Sequence, residues 1–597
     1  MTVTSARHPE PTGYPDTDET ELVSRVLATL LREDVVGLRT HATRLTREDG
    51  DWVRLAGTTA FGPDALLLPV QPDGFLCADS VREPLVLRES DGRQLRTIAD
   101  VLTALTAFAD HTDHTGFAAF AEECGQALAT MRLHRKTGSW VSARLIAHYG
   151  RQLDDWTGGA GLAFDTLAAR LDHPVHPAGR ARSGLSANQL RCYAPEFHPR
   201  FRLRWLAVPR TALIIAGRSE FPEYWPTPGR VGLRRLADSH VLLPVHPLTV
   251  GATLDLALRE SGLSDECVLL DRPYLEVVPT LSMRTVASAG DPAQHLKLPL
   301  ATATLGQRNL RTIRPRTLAD GALCQQLLIA VITREERFQT MILLADESTY
   351  AHAGHELLAV LCRRYPAALD GAVVVPMAAL LSEAPDGRRV LDHLADRFYS
   401  GDPVALFDAW IRLLFDWQIT LFGYGIALEA HQQNISLVLD IVPSAAGAMT
   451  RLRLLFKDND TPRVNTARLQ ARIGAEPATF IDPRINVTDD QPLTDLFITI
   501  TMHLCAGWYA FELARLGYAP LSQLLGQVRD RLEEAISRID LVAGARLRAA
   551  LLDAPTLPVK AMVSAGTLLS KQRSGAADIN KHYTSGPNYL RHLGSYQ

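Results

Sequence analysis

Four polar residues close together, Glu429, His431, Gln433 and Asn434, offer a carboxylate, an imidazole and two amides. Ile435, Leu437 and Leu439 follow, alternating with Ser436, Val438 and Asp440, which predicts a strand with at least one buried face. The four polar residues then occupy the turn that enters it. Alone they are a polar turn before a strand; a second constellation changes their meaning. Ser282 and Arg284 share one face if their segment is extended. Lys297 stands among Leu296, Leu298 and Leu300 on an expected strand, Gln294 to Leu305, with Thr304 near its end and Arg308 beyond. Two guanidiniums, an ammonium and two hydroxyls on one face make an anion site, because Arg grips carboxylate or phosphate bidentately and Lys acts as a point charge. The apolar neighbours imply burial, and buried cations need partners. Glu429, Asp458 and Asp460 are hard oxygen donors placed on two neighbouring expected strands. Magnesium typically uses one or two such carboxylates plus phosphate oxygens. Cationic face, acidic face and amides together point to Mg-ATP held between two lobes beside an anionic substrate.

Other motifs narrow the field. There is no Gly-x4-Gly-Lys-Ser/Thr loop, no full Gly-x-Gly-x-x-Gly, and no kinase His-Arg-Asp or Asp-Phe-Gly. His355-Glu356 lacks the second His of a zincin. His173 and His176 have ligand-like spacing, but each precedes a proline, and Asp172 would point away from His173 in an extended chain. Histidines that pin a turn are the better reading, with Arg180 and Arg182 as anion-facing groups and all four as candidate substrate contacts.

These motifs need several lobes to position them, as 597 residues allow. Residues 1–18 read as a tail. Glu19 to Glu33 reads as an amphipathic helix with Leu22, Val23, Val26, Leu27, Leu30 and Leu31 on one stripe. Three lobes are expected: 1–150, a scaffold or dimer surface; 151–370, strand-like, opening on the Gly-rich loop Thr157 to Gly161 and carrying the cationic motifs; and 371–597, mostly helical, carrying the acidic ones. The formal net charge of −4 excludes any global attraction to nucleic acid. Seven scattered cysteines exclude a disulfide framework or zinc ribbon. No apolar leader is present, and Leu496 to Phe511 falls short of the roughly 20 residues that span a bilayer, so a buried helix, no membrane and a cytoplasmic location are expected.

The chain resembles the IucA/IucC family of NRPS-independent siderophore synthetases over nearly its whole length. The resemblance rests on His173-Pro-x-His-Pro177 with Arg180, Arg182 and Gly184; Tyr193-Ala-Pro-Glu-Phe197; Pro244-Val-His-Pro247; Thr280-x-Ser-Met-Arg-Thr285; Lys297; Thr304 with Arg308; Glu429-Ala-His-x-Gln-Asn434; and Asp458-x-Asp460. Arg180 replaces the usual Lys. Leu248-Thr249 stands where an aromatic-Gln pair is usual, and the usual C-terminal Asn-Pro appears only as Gly586-Pro-Asn588. The resemblance implies an α+β cupped hand of thumb, fingers and palm with antiparallel sheets. It implies that a carboxylic acid attacks the α-phosphate of ATP and that an amine, hydroxylamine or alcohol then displaces AMP. Ser282, Arg284, Lys297, Gln433 and Asn434 would hold ATP; Glu429, Asp458 and Asp460 would bind magnesium; Thr304, Arg308 and His431 would hold the acid. Citrate is the expected acid and a homodimer the expected assembly; the alternatives are a synthetase acting on a succinylated or citryl-monoamide intermediate, or a non-catalytic siderophore-binding module. The C-terminal lobe also resembles ferric-iron-reductase-like sequences, yet Cys505 is its one cysteine and cannot carry a four-cysteine cluster.

Overall fold

The computed structural model describes residues 16–59, 62–217, 221–367, 369, 371–444, 447–474, 479–575 and 582–591. The expected N-terminal tail lies outside these up to residue 15. Asp16 already caps the first helix, Thr17–Arg32, by accepting from the Asp18 N–H. The apolar stripe of that helix is fully buried. It packs with the helices Ile98–Thr106 and His114–Tyr149 around a six-stranded sheet built on the long hairpin Gly50–Thr59 and Gly62–Pro72.

A nine-stranded antiparallel sheet forms the middle of the molecule. Its register explains the site. Thr285 lies opposite Lys297, Lys297 opposite Leu361, and His295 opposite Arg363. Side chains alternate across a strand, so Val286, Leu296 and Cys362 enter the lobe's apolar core. His295, Lys297 and Arg363 are thereby turned to the other face.

The third body holds a four-stranded sheet of Ile342–Leu344, Gly447–Phe456, Ile435–Ser444 and Val373–Pro376. The helices Pro403–Tyr424 and Leu521–Ile536 pack in the same core. Ile342–Leu344 runs parallel to Leu454–Phe456, and Val464–Asn465 parallel to Asn486–Val487, so the sheets are not purely antiparallel. The fold is α+β. The largest core also takes in Phe164, Leu167, Cys324 and Leu328, from segments well before residue 371. The helix Gln491–Arg515 is long and apolar enough to cross a membrane by length and composition, more so than the sequence reading allowed. It is instead a core helix, with 89% of its apolar window buried.

Two expected strands are shorter than the sequence suggests. Tyr274 to Arg284 ends at Pro279, because Thr280 closes a turn: its N–H and Oγ1 both donate to the Thr285 carbonyl at 2.9 Å. Ser282 and Arg284 therefore ride on a hairpin turn, with Met283 at a φ of 62° between them. Gln294 to Leu305 ends at Lys297, since Pro299 has no N–H to extend the ladder. Thr304 and Arg308 lie in the loop before the helix Pro315–Arg334. Glu429, Asp458 and Asp460 also sit in loops, beyond Ile426–Ala427 and Gly447–Phe456, rather than on strands.

The segment Lys560 to Leu569 ties the three bodies together. Glu33, on the first lobe, accepts from the Val563 and Ser564 amides (3.1 and 2.7 Å), and Glu123 accepts from the Thr567 hydroxyl (2.7 Å). Gly116 lets the long helix touch this segment, for a Cβ there would lie 2.0 Å from the Leu568 carbonyl oxygen. Gly→Ala in a helix should gain about 1 kcal/mol from propensity, but the clash is with backbone, and overpacking costs about 1–3 kcal/mol. Gly116→Ala is expected to lower the melting temperature, measured by calorimetry. An unchanged or higher value would show that this contact is not made.

Candidate active site

A cavity of about 820 Å³ opens between the nine-stranded sheet and the helical body. It gathers Ser282, Arg284, Lys297, Thr304 and Arg308 from one side with Glu429, His431, Gln433, Asn434, Asp458 and Asp460 from the other. The two constellations read from the sequence thus share one space. Nine basic and five acidic side chains line it, an excess of four positive charges in a chain whose net charge is −4. Such a cavity favours anions.

Its floor is an ion network. Lys297 Nζ donates to Asp458 Oδ1 at 2.6 Å and Asp460 Oδ2 at 3.0 Å. Arg363, with 1% of its side chain exposed, pairs with Asp458 at 2.8 Å and donates to Glu347. Both Glu347 oxygens accept the Asp458 N–H, at 3.0 and 3.1 Å. Burial opposes the charge on Asp458, but Arg363 and Lys297 outweigh it and hold the carboxyl well below the usual range. Burial likewise works against the Lys297 ammonium, and Asp458 and Asp460 raise it in spite of that. Asp458 has a φ of 58°, uncommon for a residue with a side chain.

The remaining cations have other tasks. Arg284 donates to the Arg311 and Thr312 carbonyls (3.1 and 2.7 Å), which fixes the loop beyond Lys297. Arg311 Nε donates to Thr304 Oγ1. Burial, with Arg284 and Arg182 nearby, pushes the Arg311 guanidinium down to about 9. Among the described residues no carboxylate pairs with Arg311, so its outer N–H groups are open to a ligand. Arg308 donates to the Ala565 and Leu569 carbonyls (3.0 and 2.5 Å), joining the site to the C-terminal segment.

The turn before Ile435–Ser444 is self-bonded. Asn434 Nδ2 donates to the Glu429 carbonyl (3.0 Å), and His431 Nδ1 accepts from the Gln433 N–H (3.3 Å). That leaves the proton of a neutral His431 on Nε2. Burial keeps the ring neutral, with its pKa near 4.

The first motif is only partly in the site. His173 and Arg182 line the cavity; His176 and Arg180 do not. Arg180 does not face an anion as expected. It forks onto Asp172 (2.8 and 3.0 Å), because the segment loops back instead of staying extended. His173 Nδ1 accepts from the Val175 and His176 amides, so it pins a turn as expected. Burial drives His176 down to about 3, and neither of its ring nitrogens has a partner.

Among the described residues no three His, Cys, Asp or Glu side chains approach closely enough to enclose a metal. Glu429, Asp458 and Asp460 are therefore not a preformed cage, and Lys297 already occupies the space between the two aspartates. One or two of these carboxylates plus phosphate oxygens still fit magnesium's habit. Cys505 is buried, its thiol raised by that burial, and it donates to the Ala430 carbonyl (3.4 Å). Sequence reasoning missed Arg311, Arg363, Glu347 and Lys560. Only Arg311 carried a signal, three residues after Arg308 in a loop already read as cationic.

Residues 162–382 match the IucA / IucC family model, and residues 405–573 match that of the ferric iron reductase FhuF-like transporter. The chain therefore carries an IucA/IucC-like region at residues 162–382. It is 25% identical to staphyloferrin B synthase of Staphylococcus aureus (strain NCTC 8325 / PS 47), over 71% of this chain and 75% of that protein. It is 32% identical to L-2,3-diaminopropanoate–citrate ligase of the same organism, over 22% and 23%. In structure it is similar to the petrobactin biosynthesis protein AsbB from Bacillus anthracis str. Sterne (TM-score 0.74, 18% identity, 97% of both chains). It is also similar to ATP-bound aerobactin synthetase IucA from a hypervirulent pathotype of Klebsiella pneumoniae (0.67, 17%, 96% and 99%). Identities this low establish the fold alone.

The network separates structural from ligand-facing cations. Arg363→Met takes the cation from Glu347 and leaves Asp458 with Lys297 alone, and is expected to cost about 3–5 kcal/mol. Arg311→Met strands no carboxylate among the described residues and is expected to cost about 1 kcal/mol or less. Urea denaturation of both variants checks this, and equal losses would refute the division. The same network sets an acid limit. The folded value of Asp458 is depressed, so its contribution is fully present above the unfolded value of about 3.9 and is lost as pH falls through the folded one. The stability gap between wild type and Asp458→Asn should be constant from pH 7 to about 5 and narrow below about 4. A gap that widens in acid would contradict the ion pairs.

Proposed function

We propose that this chain is a siderophore-biosynthesis ligase that adenylates a carboxylic acid, citrate in the first place, and passes the acyl group to an amine, hydroxylamine or alcohol. The carrying observation is the excess of four positive charges in a cavity that also holds two aspartates bridged by a lysine. A nucleotide triphosphate and a tricarboxylate are together strongly anionic and match that excess. A relative named as a citrate ligase supports the choice of acid, while another is named for citryl-spermidine, a citryl monoamide, which is the alternative acid.

In this reading a carboxylate oxygen of the acid attacks the α-phosphorus, and the bond to pyrophosphate breaks. The nucleophile's nitrogen or oxygen then attacks the acyl carbon, the bond to AMP breaks, and the nucleophile loses its proton. Ser282, Arg284, Lys297, Gln433 and Asn434 hold the nucleotide. Thr304, Arg308, Arg311 and the Nε2–H of His431 bind the acid and stabilise charge at the reacting carbon. Magnesium, held by Glu429 or the Asp458–Asp460 pair, would neutralise phosphate charge. Seven free thiols support a reducing cytoplasm, and a homodimer completes the reading.

Incubation with Mg-ATP, citrate and hydroxylamine should release AMP and pyrophosphate and form a hydroxamate. ADP instead of AMP, or no turnover across an acid panel, would overturn the proposal. Citrate should exceed succinate and 2-oxoglutarate by at least about tenfold in kcat/KM, since a missing carboxylate leaves a buried cation unpaired. Because Arg308 also ties down the C-terminal segment, Arg308→Lys is the variant to use. It keeps the charge but loses the fork, and should lower kcat/KM by about tenfold or more while the protein remains folded.

A further inference from the structure

A second cavity, of about 570 Å³, shares no lining residue with the first. One wall is the Gly-rich loop Thr157 to Gly161, which the reaction above does not use. The loop packs too closely for side chains: a Cβ on Gly159 would lie 2.9 Å from Pro292 Cγ, and one on Gly161 2.9 Å from the Val374 carbonyl oxygen. It leads into the helix Gly161–Ala169, whose Asp165 lines the cavity at 6% exposure. Asp165 Oδ1 has no hydrogen-bond partner. Burial raises this carboxyl, against the lowering pull of Lys457 and the Leu281 amide.

Lys457 also lines the cavity, at 5% exposure. Among the described residues it makes no side-chain hydrogen bond or ion pair, with Asp165 or with any other group. Burial opposes its charge, and Tyr365 and Asp165 nearby raise it. Leu162, Leu344, Leu369 and Val374 supply apolar lining, and the other charged lining groups are Asp291 and the partly exposed pair Arg364–Asp346, 3.3 Å apart. Two opposite buried charges that do not reach each other are costly. They are complementary to a ligand that carries both signs. The volume lies within the range of small-molecule sites.

We propose that this cavity is a second ligand site, taking a small molecule with a primary ammonium and a carboxylate, such as an α-amino acid. The ammonium meets Asp165, and the carboxylate meets Lys457. Each of these residues is linked to the first cavity. Asp165 lies beside the Leu281 amide, next to Ser282, and Lys457 precedes Asp458. An occupant would therefore be felt at both the hairpin turn and the ion network.

Calorimetric titration of the whole protein without ATP tests this independently of the ligase reading. The probes are L-alanine, L-ornithine, 1,5-diaminopentane and butyrate. At least one amino acid should bind, and the diamine and the monoacid should bind about tenfold or more weakly than it. Asp165→Asn and Lys457→Met should each weaken binding by about tenfold or more. Either change could unfold the protein, so Ala367→Trp, at an exposed lining position, provides a variant that leaves the buried charges intact. It should abolish binding, and Arg311→Met should leave it unaltered. No amino-acid binding to folded wild type at about 10 mM would overturn the proposal. So would equal binding of the diamine or butyrate, or binding that survives Ala367→Trp and is lost in Arg311→Met.

Discussion

Everything in the first cavity depends on how Asp458 is held. Its carboxylate meets Lys297 at 2.6 Å and Arg363 at 2.8 Å, and its N–H is clamped by Glu347. Lys297 and Arg363 belong to the nine-stranded sheet, and Asp458 to the loop after a strand of the four-stranded sheet. The network is thus the polar joint between two bodies whose own cores are apolar. Its geometry follows from strand alternation: one face of Gln294–Lys297 and Ala359–Arg364 fills a core, and the other presents charges. A joint of buried ions is poor at adding net stability but severe on misalignment, because each ion left alone is expensive. The positive φ of Asp458 is kept within that frame.

The chemistry was more legible than the geometry. Ser282, Arg284, Lys297, Glu429, His431 and the Asp458–Asp460 pair stood out because their residue types are costly to bury without a purpose, and all of them reach one cavity. Their supports were not legible. Glu347 and Arg363 lie in the strands Asp346–His352 and Ala359–Arg364, and their shared partner Asp458 is about a hundred residues away, a distance no local pattern bridges. Arg180 looked like an anion ligand because a basic residue near histidines invites that reading. Only the loop geometry shows that Asp172 already satisfies it. The strand predicted to run past Lys297 failed for a local reason, Pro299. Here too a departure from the family pattern has a visible use: Thr249, buried, donates from Oγ1 to the Pro299 carbonyl at 3.1 Å and anchors the point where that strand stops.

The C-terminal region was the least readable part, because its value lies in long-range contacts. Asn588, within Gly586-Pro-Asn588, is buried; its amide donates to the Leu551 and Ala554 carbonyls, both at 2.8 Å. That is a structural role, and no substrate contact is needed to explain it. Nearby, Lys560 and Ala565 reach the cavity itself. The segments Phe497–Gly507 and Ser564–Leu568 are π-helical, a geometry that often marks functional sites. Both contribute lining residues, Ile500 and Leu504 from one and Ala565 from the other.

The two family matches meet in one cavity. The FhuF-like match covers the segment that supplies the carboxylates, the core helix and the C-terminal clamp. A four-cysteine cluster needs thiolates that converge and ionise easily. Cys505 is single, buried and held on a backbone carbonyl. What that half of the chain offers instead is a frame of strand ends and helices that sets Glu429, His431 and Asp458 facing the cations of the sheet. The cations supply attraction for an anion, and the frame supplies the groups that orient it. Neither half builds the charged cavity alone.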